Sequence, residues 1–266
     1  MTSVHRILAP VALSPQCAWS ARYAAHVAAR FGAELLFLHV SDHEASGELR
    51  AFLNRALDGV AYRQAVMRGD AATGIITFAQ EQSCDLILMP THAYGRFRRY
   101  LLGSVTAKVL HDADCPVWTG VHHQDAPLSD TAEIHSLVCA VDADAGCLPV
   151  IRWAQDLAAF LKATLKIVHA VPAADETSDN VGEIELRRYL FGQAENEFAR
   201  LCHSEDLDVK VALAGGPVGR VVRETALRER ADLVIIGRGH TQRALGRLRT
   251  QAYSIIRESP CPVLSI

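Results

Sequence analysis

The chain has 266 residues, half of them apolar and 21% charged, with a formal net charge of −3 at pH 7. This length fits two average domains better than one, and the slightly acidic balance offers no general attraction to nucleic acid or to an anionic membrane. No apolar run approaches a membrane span, and the opening MTSVHRILAPVALSP lacks the apolar core of a secretion signal.

In chain order, residues 5–11 form a short apolar run expected to be a buried strand. Pro15 opens a helix and Gly32 closes it; Trp19, Tyr23, Val27 and Phe31 recur at i, i+4 and predict its apolar stripe. Residues 34–40 predict a second strand, 44–57 a helix and 61–67 a third strand. Gly69-Asp70 precedes a helix running through Gln82. A fourth strand is expected at 86–90, a helix at 104–113 and a last strand at 116–119. The same order then starts again. Strands are expected at 135–141, 164–170, 209–214, 233–236 and 263–266, and the second helix, from Glu183 to about His203, is much longer than its counterpart. HHQDAPLSDTAE reads as a polar linker, and PAADETSDN as a polar stretch ahead of the long helix.

The chain states its plan twice. DLILMPTHAYGRFRRYLLGSVTAKVLHDADCPVW, from Asp85, returns as DLVIIGRGHTQRALGRLRTQAYSIIRESPCPVL, from Asp232. ILAPVALSP answers LVCAVDADA, and FLHV (37–40) answers IVHA (167–170). A repeat this long is a domain and not a solenoid unit. The expected division is a domain at 1–121, a linker at 122–133 and a second domain at 134–266. Strands alternating with helices imply parallel sheets covered on both faces. Right-handed crossovers make such sheets doubly wound, and ligands bind beyond the strand carboxyl ends where the winding reverses. If that reversal lies between the first and fourth strands, two crevices follow: residues 12–16 facing 91–103, and 142–147 facing 238–249.

The run PTHAYGRFRRYLLGSVTAKVLHDADCPV resembles the C-terminal half of a universal stress protein domain, and ILAPVALSP is similar to that family's opening strand and loop. The second half resembles the family more loosely, so the chain looks like a tandem member. The resemblance implies flavodoxin-like (Rossmann-like) α/β sandwiches, each with five parallel strands and helices on both faces. It also implies two subclasses, only one of which binds ATP. That subclass carries G-x2-G-x9-G-[S/T] after the fourth strand and an Asp after the first, near the nucleoside. Glycines let backbone N–H groups approach phosphates, and a helix start adds donors and a positive dipole end.

Each half keeps a different part of that pattern. In the first, the loop glycines fall on Pro90 and Ala93 and the Asp on Ala12, while Gly103 and Ser104 remain. In the second, Asp142 and Gly237 match, but His240 replaces the second glycine, and Arg249 and Thr250 stand where Gly-Ser would. Arg238, Arg243, Arg247 and Arg249 could supply charge, and Gly239 displaced flexibility. The resemblance therefore implies Asp142, Ala170, Gly237, Arg238, Gly239 and Thr250 as nucleotide-binding candidates in the second half. In the first they are Val40, Thr91, His92, Gly103 and Ser104. The implied ligand is ATP with Mg²⁺. Losing two or three phosphate contacts costs on the order of 3 kcal/mol, about a hundredfold in affinity.

Other features carry weaker chemistry. Asp142-Ala143-Asp144 resembles the DxD of haloacid-dehalogenase-type phosphatases, but Gly146 stands where their Thr would, and IIGRGH supplies no later acid. As a bland alternative, the pair is a turn that caps the next helix. His92 and His240 lie in crevice loops, and His122-His123 has no third ligand nearby. Arg96, Arg98 and Arg99 suit either phosphates or a solvated loop face. Seven cysteines without CxxC spacing read as reduced, mostly buried thiols in a cytoplasmic protein. The leading expectation is a non-enzymatic stress-response protein that senses adenine nucleotide. Its rivals are a ligand-free interaction scaffold and a Mg²⁺-dependent phosphatase. The closing CPV strands are expected to join the halves as a pseudo-dimer and to serve further self-association.

Overall fold

The computed structural model describes residues 4–14, 17–89, 102–120, 133–172, 181–205, 207–238 and 247–266, the side chains of 247–250 excepted. The chain divides into two compact units, Thr2–Glu133 and Ile134–Leu264. Of the expected linker, all but Glu133 lies outside the described residues.

The first unit runs β1 (Arg6–Pro10), α1 (Cys17–Phe31), β2 (Glu34–Val40), α2 (Ser46–Ala56), β3 (Arg63–Met67), α3 (Ala71–Glu81), β4 (Leu86–Met89), α4 (Ser104–Asp112) and β5 (Val117–Thr119). Its strands lie in the order β3-β2-β1-β4-β5. The pairs β1–β2, β1–β4, β2–β3 and β4–β5 are all parallel. The second unit repeats the plan with β6 (Ser136–Ala140), α5 (Cys147–Leu161), β7 (Thr164–Val171), α6 (Val181–Ser204), β8 (Val211–Gly215), α7 (Val218–Arg228), β9 (Leu233–Ile236), α8 (Arg247–Glu258) and β10 (Val263–Ser265). Its order is β8-β7-β6-β9-β10. In each unit the winding reverses between the first and fourth strands, which is the expected doubly wound, flavodoxin-like arrangement. No described helix is long and apolar enough to cross a membrane.

The central strands are apolar throughout because both of their faces are covered. Every residue of β4 and of β9 is buried. α1 packs with α2, and α3 with α4, which puts helices on both faces. The stripe that α1 turns inward differs from the expected one. Cys17, Ser20, Ala21, Ala24, Ala25, Val27 and Ala28 are buried, whereas Trp19, Tyr23 and Phe31 are only half-buried. Small residues let the helix lie close to the sheet. The large rings are left on the flank, where Trp19 stacks on Tyr23 with centroids 5.1 Å apart.

The aspartate that opens each long repeat has a structural task. Asp85 Oδ2 accepts from the His5 and Arg6 amides at 2.8 and 2.9 Å. Asp232 Oδ2 accepts from those of His135 and Ser136 at 2.7 and 3.0 Å. Each carboxylate thereby ties the entry of a fourth strand to that of a first, satisfying two amides at the sheet's end.

α6 is held by half its length. Ala194, Phe198 and Leu201 are buried. Toward its start, Val181, Ile184, Leu186 and Tyr189 are exposed.

Candidate functional site

A cavity of about 400 Å³ opens at the carboxyl ends of β6 and β9, where a doubly wound sheet places its ligand. Asp142 after β6, Ala170 in β7, and Gly237 and Arg238 after β9 all stand on its wall. Most of the remaining lining is aliphatic. Val150 comes from α5, Val168 from β7, Val218 and Val222 from α7, and Ala252 and Ile255 from α8. The local sequence explains this wall. Short, β-branched and small residues at the strand ends leave a gap that no side chain fills.

Among the described residues, the polar groups on the wall include Asp142, Asp144, Arg238 and Gln251. Asp142 is open to solvent on one side, but protein crowds its carboxyl. The loss of water pushes its pKa above the ordinary value; His169 opposes that rise and Asp144 adds to it. Asp144 Oδ1 accepts from the Gly146 amide at 2.8 Å, so it shapes the turn into α5. No acid follows β9, where Gly237 and Arg238 stand, so the phosphatase reading lacks the partner it needs.

His169 was not among the residues singled out from the sequence. Its Nδ1 lies 2.8 Å from the Val141 carbonyl, one residue before Asp142. A carbonyl only accepts, so Nδ1 carries the proton. The ring also meets Phe198 of α6 edge-on, with centroids 5.2 Å apart. His39 repeats the bond in the first half, with Nδ1 at 2.9 Å from Val11 O. The signal was on the page as FLHV and IVHA, where each histidine precedes a candidate, Val40 or Ala170.

Gly237 has a packing reason as well as the expected one. A Cβ there would lie 2.9 Å from Val150 Cγ2, so glycine is what lets α5 close over the end of β9. Gly103 is different. It caps α4 at φ −62° and ψ 144°, a conformation open to any residue, and among the described residues the nearest atom to a Cβ would be Thr106 Oγ1 at 3.9 Å. Ser104 is the exposed first residue of α4. Val40 ends β2 and faces α3, where a Cβ on Gly74 would come within 3.2 Å of its Cγ2. Thr91, His92 and Gly239 lie outside the described residues, and Thr250 falls inside α8 with its side chain undescribed.

Among the described residues no group of three or more His, Cys, Asp or Glu side chains is placed to hold a metal ion. Burial raises the thiol pKa of Cys84 and Cys261 to about 12 and of Cys147 to about 11, which leaves them protonated and poor nucleophiles.

The profile of the universal stress protein family matches residues 3–58, 49–119 and 133–266. Universal stress protein MJ0531 of Methanocaldococcus jannaschii is 32% identical over 120 residues, which covers 37% of this chain and 71% of that protein. A functionally unknown protein, PA1789 of Pseudomonas aeruginosa, has a solved structure that superimposes with a TM-score of 0.73 at 18% identity, covering 99% of this chain and 92% of that one. A universal stress protein from Archaeoglobus fulgidus does so with a TM-score of 0.63 at 19% identity, covering 99% and 96%. At those identities the two structures speak to the fold. With the family profile matching along nearly the whole length, the chain belongs to the universal stress protein family and carries its domain in tandem.

Proposed function

We propose that this tandem universal stress protein is a non-enzymatic stress-response protein that binds an adenine nucleotide in the crevice of its second half. The observation that carries the reading is the cavity of about 400 Å³ whose wall holds Asp142, Ala170, Gly237 and Arg238 together. Its size lies within the range of small-molecule sites, and it combines an apolar body with a few polar groups. The aliphatic wall suits a flat base, and the Asp142 carboxylate suits the hydroxyls of a sugar. No thiol with a depressed pKa adjoins it, and the Asp pair lacks the later acid of a phosphatase.

Native mass spectrometry of freshly purified protein, followed by calorimetric titration with ATP and Mg²⁺, tests the proposal. One adenine nucleotide per chain is expected, with occupancy lost in Asp142→Ala and retained in Ser104→Ala. A chain that neither copurifies with nucleotide nor takes it up on titration would return the crevice to a ligand-free scaffold.

A further inference from the structure

α6 is longer than the strand it packs on can support. Phe198 meets His169, and one turn earlier Ala194 clusters with Val171, the last residue of β7. The helix begins at Val181, so at 1.5 Å per residue about 20 Å of it runs on past the end of that strand. Its counterpart α2 has 11 residues against 24. A helical segment of this length is marginal in water unless something packs on it. Yet Val181, Ile184, Leu186 and Tyr189 are exposed there.

The charges of this stretch point to what covers it. Glu183, Glu185, Arg187 and Arg188 balance one another, so neither a strongly charged peptide nor an anionic lipid surface finds a net charge to prefer. A balanced face can instead complement itself. Val181, Glu185, Arg188, Tyr189 and Gly192 lie at i, i+4, i+7, i+8 and i+11, on the side turned away from the buried Ala194, Phe198 and Leu201. Two such helices crossing antiparallel about the middle of the stretch bring Glu185 of each to Arg188 of the other. One two-fold axis thus makes two opposite-charge contacts, whereas parallel helices would set like charges together.

Two further details agree. Glu197 and Arg200, at the same spacing farther along, pair within their own helix; among the described residues Glu185 and Arg188 do not. No described atom lies within 4 Å of where a Cβ on Gly192 would stand, which leaves room for a partner backbone to come close.

We propose that the overhanging turns of α6 are an interaction surface for a second copy of this chain. The helices pack antiparallel, with Val181 and Tyr189 at the centre of the contact, Ile184 and Leu186 on its flanks, and Glu185 facing Arg188 across it. A contact of this size is weak and forms at about 10 μM and above, so unfolding measured well below that reads the single chain.

Analytical ultracentrifugation of the full chain over about 1–300 μM tests this. The sedimentation coefficient is expected to rise with concentration. Tyr189→Glu should abolish the rise while the melting temperature at the dilute end is retained. Glu185→Arg and Arg188→Glu should each weaken association by about tenfold or more, and an equal mixture of the two should restore it, because each then meets an opposite charge. A misfolded helix would not be rescued in that way. A chain that stays monomeric throughout would overturn the inference. So would association that these variants leave intact, which would place the contact elsewhere, or single variants that fail to complement each other.

Discussion

At the scale of single residues, Asp142 is the group whose chemistry and stability pull apart. Its carboxyl pKa is raised in the folded protein by loss of water. As pH climbs past the ordinary carboxyl value, the unfolded chain ionises first, so folding loses stability until the folded pKa is reached. Asp142→Asn removes that penalty. The variant should melt higher than the parent at pH 7, and the advantage should vanish near pH ~3, where both forms of the acid are protonated. Thermal melts of the two proteins across that range decide it; equal melting at pH 7 would mean the carboxyl is well solvated. The proposed role of Asp142 in binding, set against a cost to stability, fits the common trade between the two. Asp85 and Asp232 hold the fold directly. Each accepts two strand-entry amides, so replacing either by Ala should cost about 2 kcal/mol. For a chain of this size that is a fall of several degrees in melting temperature.

At the scale of elements, α6 separates what packs from what merely continues the helix. Phe198 is 5% exposed and Tyr189 is 63% exposed. Phe198→Ala should cost about 3 kcal/mol in urea unfolding. Tyr189→Ala should stay within about 0.5 kcal/mol. Phe198 also backs the ring of His169, so its loss should weaken ligand binding, whereas Tyr189→Ala should leave binding unchanged. Equal costs for the two variants would mean that the first turns of α6 are as firmly packed as the last.

At the scale of the whole molecule, the described residues of the cavity wall all lie between 140 and 266, within one compact unit. Residues 134–266 expressed alone should therefore give a cooperative melt and bind ATP with an affinity within about threefold of the full chain. A fragment without cooperative unfolding would show that the unit depends on the first half for its fold.

The architecture was legible in the amino-acid order because strand and helix are local periodicities repeated twice. DLILM and DLVII announce buried strands, and the second copy checked the first. Handedness implied double winding, and the resemblance to the family supplied the flavodoxin-like arrangement. Asp142, Gly237 and Arg238 were also legible, through the likeness of the loops after the first and fourth strands to the family's motif, and all three line the cavity. The inward stripe of α1 was not. Spacing marks which residues share a face but not how near the sheet lies, and close approach selected the alanines over Trp19 and Tyr23. The bond from His169 to Val141 and the steric need for glycine at 237 beside Val150 were hidden for the same reason. Each depends on atoms far apart in the chain, brought together by packing, and no local pattern carries a distance.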